Sequence, residues 1–247
     1  MASKMRDPMK TIGMLGGMSW ESTTSYYQAV NEGIKEKLGG FHSAEICMYS
    51  VDFADIEELQ RQGNWQAAGE VLARAAQRVE AGGADFLVVC TNTMHKVVPE
   101  IEKAVSIPVL HIADATAEKL LADRIKRVGL LGTRFTMEQD FYKGRLADKF
   151  GIEVLIPEPE EREIIHNVIY SELCLGKVNE RSRRQYLQII DALRKRGAEA
   201  VILGCTEIAL LVRQEDTPVP LYDTTALHAE KAVDLATAEE AQARDES

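Results

Sequence analysis

The sequence predicts an α/β protein made of two pseudo-symmetric, doubly wound parallel-sheet lobes, and three observations lead there. Short runs rich in Val, Ile and Leu alternate with longer amphipathic stretches through most of the 247 residues, the pattern of strands separated by helices. The runs are continuously apolar rather than alternating, as expected of strands buried on both faces. The chain also reads twice. Gly83-Ala84-Asp85-Phe86-Leu87-Val88-Val89-Cys90-Thr91-Asn92-Thr93 aligns without a gap on Gly197-Ala198-Glu199-Ala200-Val201-Ile202-Leu203-Gly204-Cys205-Thr206-Glu207. Ile12-Gly13-Met14-Leu15-Gly16 echoes Val128-Gly129-Leu130-Leu131-Gly132 at nearly the same offset. The register sets Thr91 opposite Cys205.

The strand runs are expected at Thr11–Leu15, Glu45–Tyr49, Asp85–Cys90, Pro108–His111, Arg127–Leu131, Glu153–Ile156 and Glu199–Leu203. Helices are expected at Glu21–Lys37, Trp65–Glu80, Ala115–Ala122, Met137–Phe150, Glu160–Cys174, Glu180–Arg196 and Thr224–Ala238. Ser19, Asp114, Thr136, Asn179 and Asp223 stand where N-caps belong. Pro157 and Pro159 punctuate the entry to the fifth helix. The first lobe is expected to span 9–110 plus 222–238, because the chain returns near Val219–Asp223, and the second lobe 111–221. Residues 1–8 read as a leader outside the fold, with Met9 as a natural start. Residues 239–247 are Ala/Glu/Gln-rich without an apolar stripe and are expected to fray.

Composition is that of an ordinary globular chain, 45% hydrophobic and 28% charged, large enough to bury a core in each lobe. A formal charge of -10 with no clustered basic face argues against a nucleic-acid partner. The basic runs near Arg181–Arg184 and Arg194–Arg196 read as solvated helix faces. No apolar stretch approaches a membrane span. Cys47, Cys90, Cys174 and Cys205 are widely spaced with no CxxC pair. This spacing suggests neither a metal site nor a disulfide framework, and fits a reducing cytoplasm.

Ligands of open α/β sheets bind beyond the carboxyl ends of the strands. The distinctive polar clusters all fall there: Gly16-Gly17-Met18-Ser19, Ser50-Val51-Asp52, Thr91-Asn92-Thr93-Met94-His95, Gly132-Thr133-Arg134 and Gly204-Cys205-Thr206-Glu207. Turns that enter helices present backbone N–H groups, so the five together point to a small anion bound in a cleft between the lobes.

These residues resemble the aspartate/glutamate racemases, which need no pyridoxal cofactor. The resemblance runs from about Met9 to Ala236. It rests on Gly16-Gly17-Met18, Asn92-Thr93-Met94-His95, Leu131-Gly132-Thr133 and Gly204-Cys205-Thr206-Glu207 taken together. Trp20-Glu21-Ser22-Thr23 and the Thr91 turn are most similar to an enterobacterial branch specific for L-aspartate and L-glutamate. The family implies two thiols on opposite faces of the substrate Cα, one taking the α-proton and one returning a proton. Cys205 holds the second thiol position, but Thr91 stands where the first Cys is usual. A thiol suits the task because its ordinary pKa of about 8.5 allows both protonation states near neutrality. A strand end beside helix N-termini is expected to lower it further.

Cys90 aligns with Gly204 rather than Cys205, and neighbours on a strand point to opposite faces, so it reads as a buried strand-end residue. Cys47 and Cys174 fall within strand and helix patterns and read as structural. The expectation is that Cys205 removes the Cα proton of the L-isomer and Thr91 reprotonates the other face, although a lone Thr also caps turns. Asn92, Thr93 and Thr206 are assigned to the α-carboxylate and amino group, and Met18, Ser19, Ser50 and Thr133 to the side-chain end. Glu207 either contacts the amino group, tunes Cys205 or stabilises a helix start. His95 reads as a turn residue kept near the site by the resemblance, and Arg134 or Lys177 as a cation for the distal group. The resemblance further implies a homodimer and a small amino acid substrate, aspartate, glutamate or another such as homoserine. Two rivals remain: a single-thiol decarboxylase or isomerase on the same scaffold, and a non-catalytic sensor of an acidic metabolite.

Overall fold

The computed structural model describes residues 9–245, with side chains to residue 238. The leader expected at 1–8 therefore lies outside the described residues. The chain forms two compact units. One holds the chain up to Cys90, Val97–Leu110 and the chain from Ala229; the other holds Thr91–Lys96 and His111–His228.

The first unit runs β1 (Ile12–Gly16), α1 (Trp20–Leu38), β2 (Ile46–Ser50), α2 (Phe53–Arg61), α3 (Trp65–Ala81), β3 (Phe86–Val89), α4 (Val98–Glu102) and β4 (Val109–Leu110). In the second, α5 (Ile112–Ala122) is followed by β5 (Arg127–Gly132), α6 (Arg134–Glu138), α7 (Asp140–Phe150), β6 (Glu153–Leu155) and α8 (Pro159–Ser171). Next come α9 (Glu180–Lys195), β7 (Ala200–Gly204), α10 (Ile208–Leu211) and β8 (Leu221–Asp223). Helix α11 (Thr224–Asp245) starts there and passes to the first unit at Ala229.

Both sheets are parallel, and they have the same topology: β2-β1-β3-β4 and β6-β5-β7-β8. Each is an α/β sheet whose strand order reverses between its first and third strands, where ligands of such folds bind. The internal repeat is repeated in the hydrogen bonds. Gly83 and Gly197 both adopt positive φ, +92° and +100°, which glycine alone takes at no steric cost. The acid two residues later closes the start of the neighbouring strand. Asp85 Oδ2 accepts Thr11 N–H at 2.6 Å, and Glu199 Oε2 accepts the N–H groups of Lys126 and Arg127 at 2.8 Å. The Gly-Ala-acid block thus has the same local task in both halves.

Burial explains the continuous apolar runs. Val128, Leu130, Ala200 and Ile202 face Ile112, Leu120, Tyr142 and Leu146, while Leu131, Val201 and Leu203 face Ile165, Ile169, Ile190 and Leu193. Alternate residues of β5 and β7 thereby fill two cores, each fully buried Val, Leu or Ile contributing about 1.5–3 kcal/mol. In the first unit Ile12, Met14, Phe86, Val88 and Cys90 pack on Tyr26, Val30, Ile34, Ala229 and Val233. The strand ends are glycines for a packing reason. A Cβ on Gly16 would lie 2.4 Å from Thr23 Cγ2, and one on Gly204 would lie 2.8 Å from Leu131 O.

Several expectations change. Helix α2 was not foreseen; Asp52 caps it by accepting Ala54 N–H. The helix expected over 137–150 breaks at the extended residue Gln139 into α6 and α7. Thr133 and His111, not Thr136 and Asp114, cap α6 and α5, and Asp114 instead binds Arg145 and Lys149. The fifth helix stops at Ser171, leaving Cys174 on a 3-10 turn. The lobe boundaries also move. Residues 222–228 stay with the second unit because β8 pairs with β7, and Thr91–Lys96 joins it through hydrogen bonds described below. Helix α11 runs to Asp245, and the side chains of 239–247, the segment expected to fray, lie outside the described residues. Among the described residues no helix is long and apolar enough to cross a membrane.

Candidate active site

The second unit assembles the turn after β3 and the turn after β7. Cys90, the last residue before the first of these, is fully buried in the apolar cluster of the first unit. Its carbonyl accepts Ser22 Oγ–H at 3.0 Å, and burial pushes its thiol far above the ordinary range. Thr91 follows, half-buried, with no partner for its hydroxyl among the described residues. Its carbonyl accepts a hydrogen bond from His95 Nδ1 at 2.7 Å.

Asn92 and Thr93 tie this turn down. Asn92 Nδ2 donates to Thr224 Oγ1 at 3.0 Å, and Thr224 Oγ1 donates to Leu203 O on β7 at 2.9 Å. Thr93 Oγ1 lies 2.9 Å from Thr133 Oγ1 and 3.5 Å from Thr136 Oγ1, and those two are 3.2 Å apart. All three hydroxyls are buried. Asn92 is 3% exposed, yet its Oδ1 has no donor among the described residues. A buried acceptor left unpaired costs about 1–3 kcal/mol, so it marks a place where a donor is missing.

At the β7 end, Cys205 is partly buried and donates its Sγ–H to Glu207 Oε2 at 3.0 Å. Burial, the Glu207 carboxylate and neighbouring Cys174 push the Cys205 thiol well above its ordinary value. This corrects the expectation of a lowered value. Helix α10, which starts at Ile208, has only four residues, whereas the buried carboxylate stands in direct contact. Cys205 is therefore protonated at neutral pH. Glu207 occupies the N-cap position of α10 without making a side-chain cap bond, so its carboxylate serves the thiol rather than the helix start. Thr206 Oγ1 accepts from Thr225 Oγ1 at 2.9 Å. Thr224 and Thr225 thus bond to both turns from one dipeptide, held by Asp223 Oδ1, which accepts Thr225 N–H at 2.9 Å.

The remaining candidates belong to the first unit, at the ends of β1 and β2. Met18 is buried, the Met18–Ser19 peptide is cis, and Ser19 Oγ accepts Ser22 N–H as the cap of α1. Ser50 is exposed beside a hollow of about 300 Å³ lined in part by Tyr49, Asp52, Arg74 and Arg78. Gly17 is required here, with φ +93° and room for a Cβ only 2.2 Å from Val51 O. Of the two cations considered for a distal group, Lys177 and Arg134 are both exposed, and Arg134 N–H donates to His166 Nδ1 at 3.2 Å.

Thr224, Thr225, His111 and His228 escaped the sequence reading. The signal for the threonines was the short strand β8, whose end opens on Thr224-Thr225. Among the described residues no group of three or more His, Cys, Asp or Glu side chains is placed to hold a metal ion.

Known proteins share this fold. The Asp/Glu/Hydantoin racemase family model matches residues 15–232. The chain is 24% identical over 229 residues to the broad specificity amino-acid racemase RacX of Bacillus subtilis (strain 168), covering 90% of this chain and 96% of that one. A Yersinia pestis crystal structure, provisionally named an Asp/Glu racemase, is 53% identical with a TM-score of 0.87, over 92% of this chain and 99% of that one. An aspartate racemase homologue from Pyrococcus horikoshii OT3 is 35% identical with a TM-score of 0.81, over 93% and 100%. The solved relatives share the parallel α/β fold, and the chain belongs to the Asp/Glu/hydantoin racemase family and is an isomerase of the racemase class.

Proposed function

We propose that the protein racemises a small acidic amino acid without a cofactor, Cys205 serving the Cα proton of the L-isomer and Thr91 the opposite face. The observation that carries this reading is the anchoring of both turns on one unit through Thr224 and Thr225, with Asn92 Oδ1 left as a buried acceptor beside them. An α-ammonium group supplies the donor that Oδ1 lacks. Thr93, Thr133 and Thr206, with the turn N–H groups, suit the α-carboxylate, and Met18, Ser19 and Ser50 remain candidates for the side-chain end.

The proton inventory starts from a thiol. Cys205 Sγ–H passes its proton to Glu207, and the substrate's ammonium charge offsets the carboxylate that otherwise holds the thiol protonated. The thiolate takes the Cα proton, leaving a planar carbanion. Thr91 Oγ gives a proton to the other face while taking one from water, and the hydroxide so formed is neutralised by the proton that Glu207 gives up to solvent, which restores the carboxylate and leaves Cys205 as the thiol. The equilibrium constant of a racemisation is one, so both directions share the same kcat/KM; a one-thiol enzyme expresses preference only through unequal kcat and KM.

Incubation with L-aspartate and L-glutamate in deuterated water, followed by NMR and chiral chromatography, tests this. Cα–H exchange with inversion is expected, and Cys205→Ser should abolish both. Turnover of an arylmalonate in place of amino acids would favour the single-thiol decarboxylase, and tight binding without exchange the sensor.

A further inference from the structure

We propose that His95 is a positioning residue that fixes Thr91, acting as a neutral imidazole clamp with its proton on Nδ1. Its functional half rests on the racemase reading. The tautomer follows from geometry. Ile112 N–H donates to His95 Nε2 at 3.2 Å, so that nitrogen must present its lone pair. The ring proton is then on Nδ1, where it donates to the Thr91 carbonyl at 2.7 Å. One ring ties the start of α5 to the residue that stands opposite Cys205 in the internal repeat.

The surroundings hold this state. His95 is 1% exposed, and its ring packs edge-on against His111, with centroids 4.7 Å apart, and His228, at 5.7 Å. His111 Nδ1 accepts Ala113 N–H at 3.2 Å, and Arg145 and Lys149, which also act on His111, are bound to Asp114. A charged imidazole at His95 would lose its bond from Ile112; burial, the adjoining His111 and His228 rings and the Arg145 guanidinium depress its pKa well below the ordinary value. The Thr91 hydroxyl has no bond of its own among the described residues, so its direction depends on the backbone that His95 grips.

Two substitutions separate the clamp from general packing. Asn places its amide nitrogen near the position of Nδ1 and can still donate to Thr91 O. Gln places its amide near Nε2, where it can accept from Ile112 but leaves Thr91 O unheld. The first readout is the 15N spectrum of the wild-type protein, expected to show a neutral, Nδ1-protonated His95 between pH 6 and 8; an Nε2–H tautomer overturns the clamp. The second is the ratio of inversion to exchange with retention from L-substrate in deuterated water, since Cys205 alone can exchange the proton but inversion needs Thr91. His95→Gln should lower that ratio about tenfold or more, a misplaced reacting group being this costly, while His95→Asn stays within about threefold of wild type. An unchanged ratio in His95→Gln, or inversion and exchange falling in step in both variants, overturns the positioning role. Wild-type protein that exchanges no acidic amino acid overturns the racemase reading and the inversion half with it, while the 15N spectrum still decides the clamp.

Discussion

Cys205 and Glu207 form a thiol–carboxylate pair, Sγ donating to Oε2 at 3.0 Å, at a strand end where a lone thiolate would have been the simpler device. The pair keeps the sulfur protonated and gives its proton an address two residues away.

Glu207→Gln should therefore separate reactivity from catalysis. Burial remains, but removing the carboxylate removes the charge and the acceptor that add to it in holding the thiol up, so Cys205 should alkylate with iodoacetamide measurably faster at pH 7.5 than in the wild type. Turnover should fall by about 10²-fold or more, because the proton acceptor is gone. Peptide mapping of the alkylated protein distinguishes Cys205 from the partly buried Cys47 and Cys174. Slower alkylation in the variant would refute the pair's role.

The proposed mechanism makes Thr91 the source of the asymmetry. Thr91→Cys should raise kcat for the D-isomer, because a second thiol can act as base where a hydroxyl cannot. Thr91→Ala should retain solvent exchange from the L-isomer and lose inversion. Chiral assays from each pure enantiomer check both, and fast exchange from D-substrate in wild type would remove the asymmetry.

Asn92→Ala distinguishes a binding residue from a structural one. The variant loses the Nδ2 bond to Thr224 but also removes the unpaired Oδ1, so thermal unfolding should show a loss of only about 1 kcal/mol. The specificity constant should fall about 10²-fold, carried mostly by KM, since in the proposed mechanism the lost group serves the ammonium that the substrate brings.

Stability should decline in mild acid. His111 has its pKa depressed to about 3 by burial and by Arg145, and His95 is depressed in the same direction. Their contribution is fully present above the unfolded value of about 6.5 and is lost as pH falls toward the folded values, because the unfolded chain binds protons that the folded one refuses. For His111 the slope between those values approaches about 1.4 kcal/mol per pH unit, and His95 acts in the same direction. Unfolding midpoints between pH 7.5 and 4.5 should therefore drop, and His111→Asn, which keeps an oxygen to cap Ala113 N–H, should make the decline shallower. An equal slope in the variant would place the sensitivity elsewhere.

Most of the scaffold was legible because its signals are local. Apolar runs marked seven strands, and the Gly-Ala-acid repeat announced the duplication that both sheets display. What escaped depended on contacts distant in sequence. Asp114 looks like a cap from its neighbours alone, but Arg145 and Lys149 claim its carboxylate. Helix α2 carries no long apolar period, being anchored mainly by Ile56 and Gln60. The turns at Thr91 and Cys205 could be named from their residue types, whereas the protonation of Cys205 could not, since it depends on which way the Glu207 side chain folds. The roles of His111, Thr224 and Thr225 likewise rest on side chains that meet only once the fold is made.

The Thr93, Thr133 and Thr136 hydroxyls close a triangle in which every oxygen can either give or receive. Their three O–H bonds can point around the ring in either sense, and switching sense requires only torsional swings of hydrogens, with every heavy atom stationary. Such a wall has no built-in polarity. Reversal leaves the packing untouched and the local charge at zero, a neutrality that charged side chains in the same place could not offer.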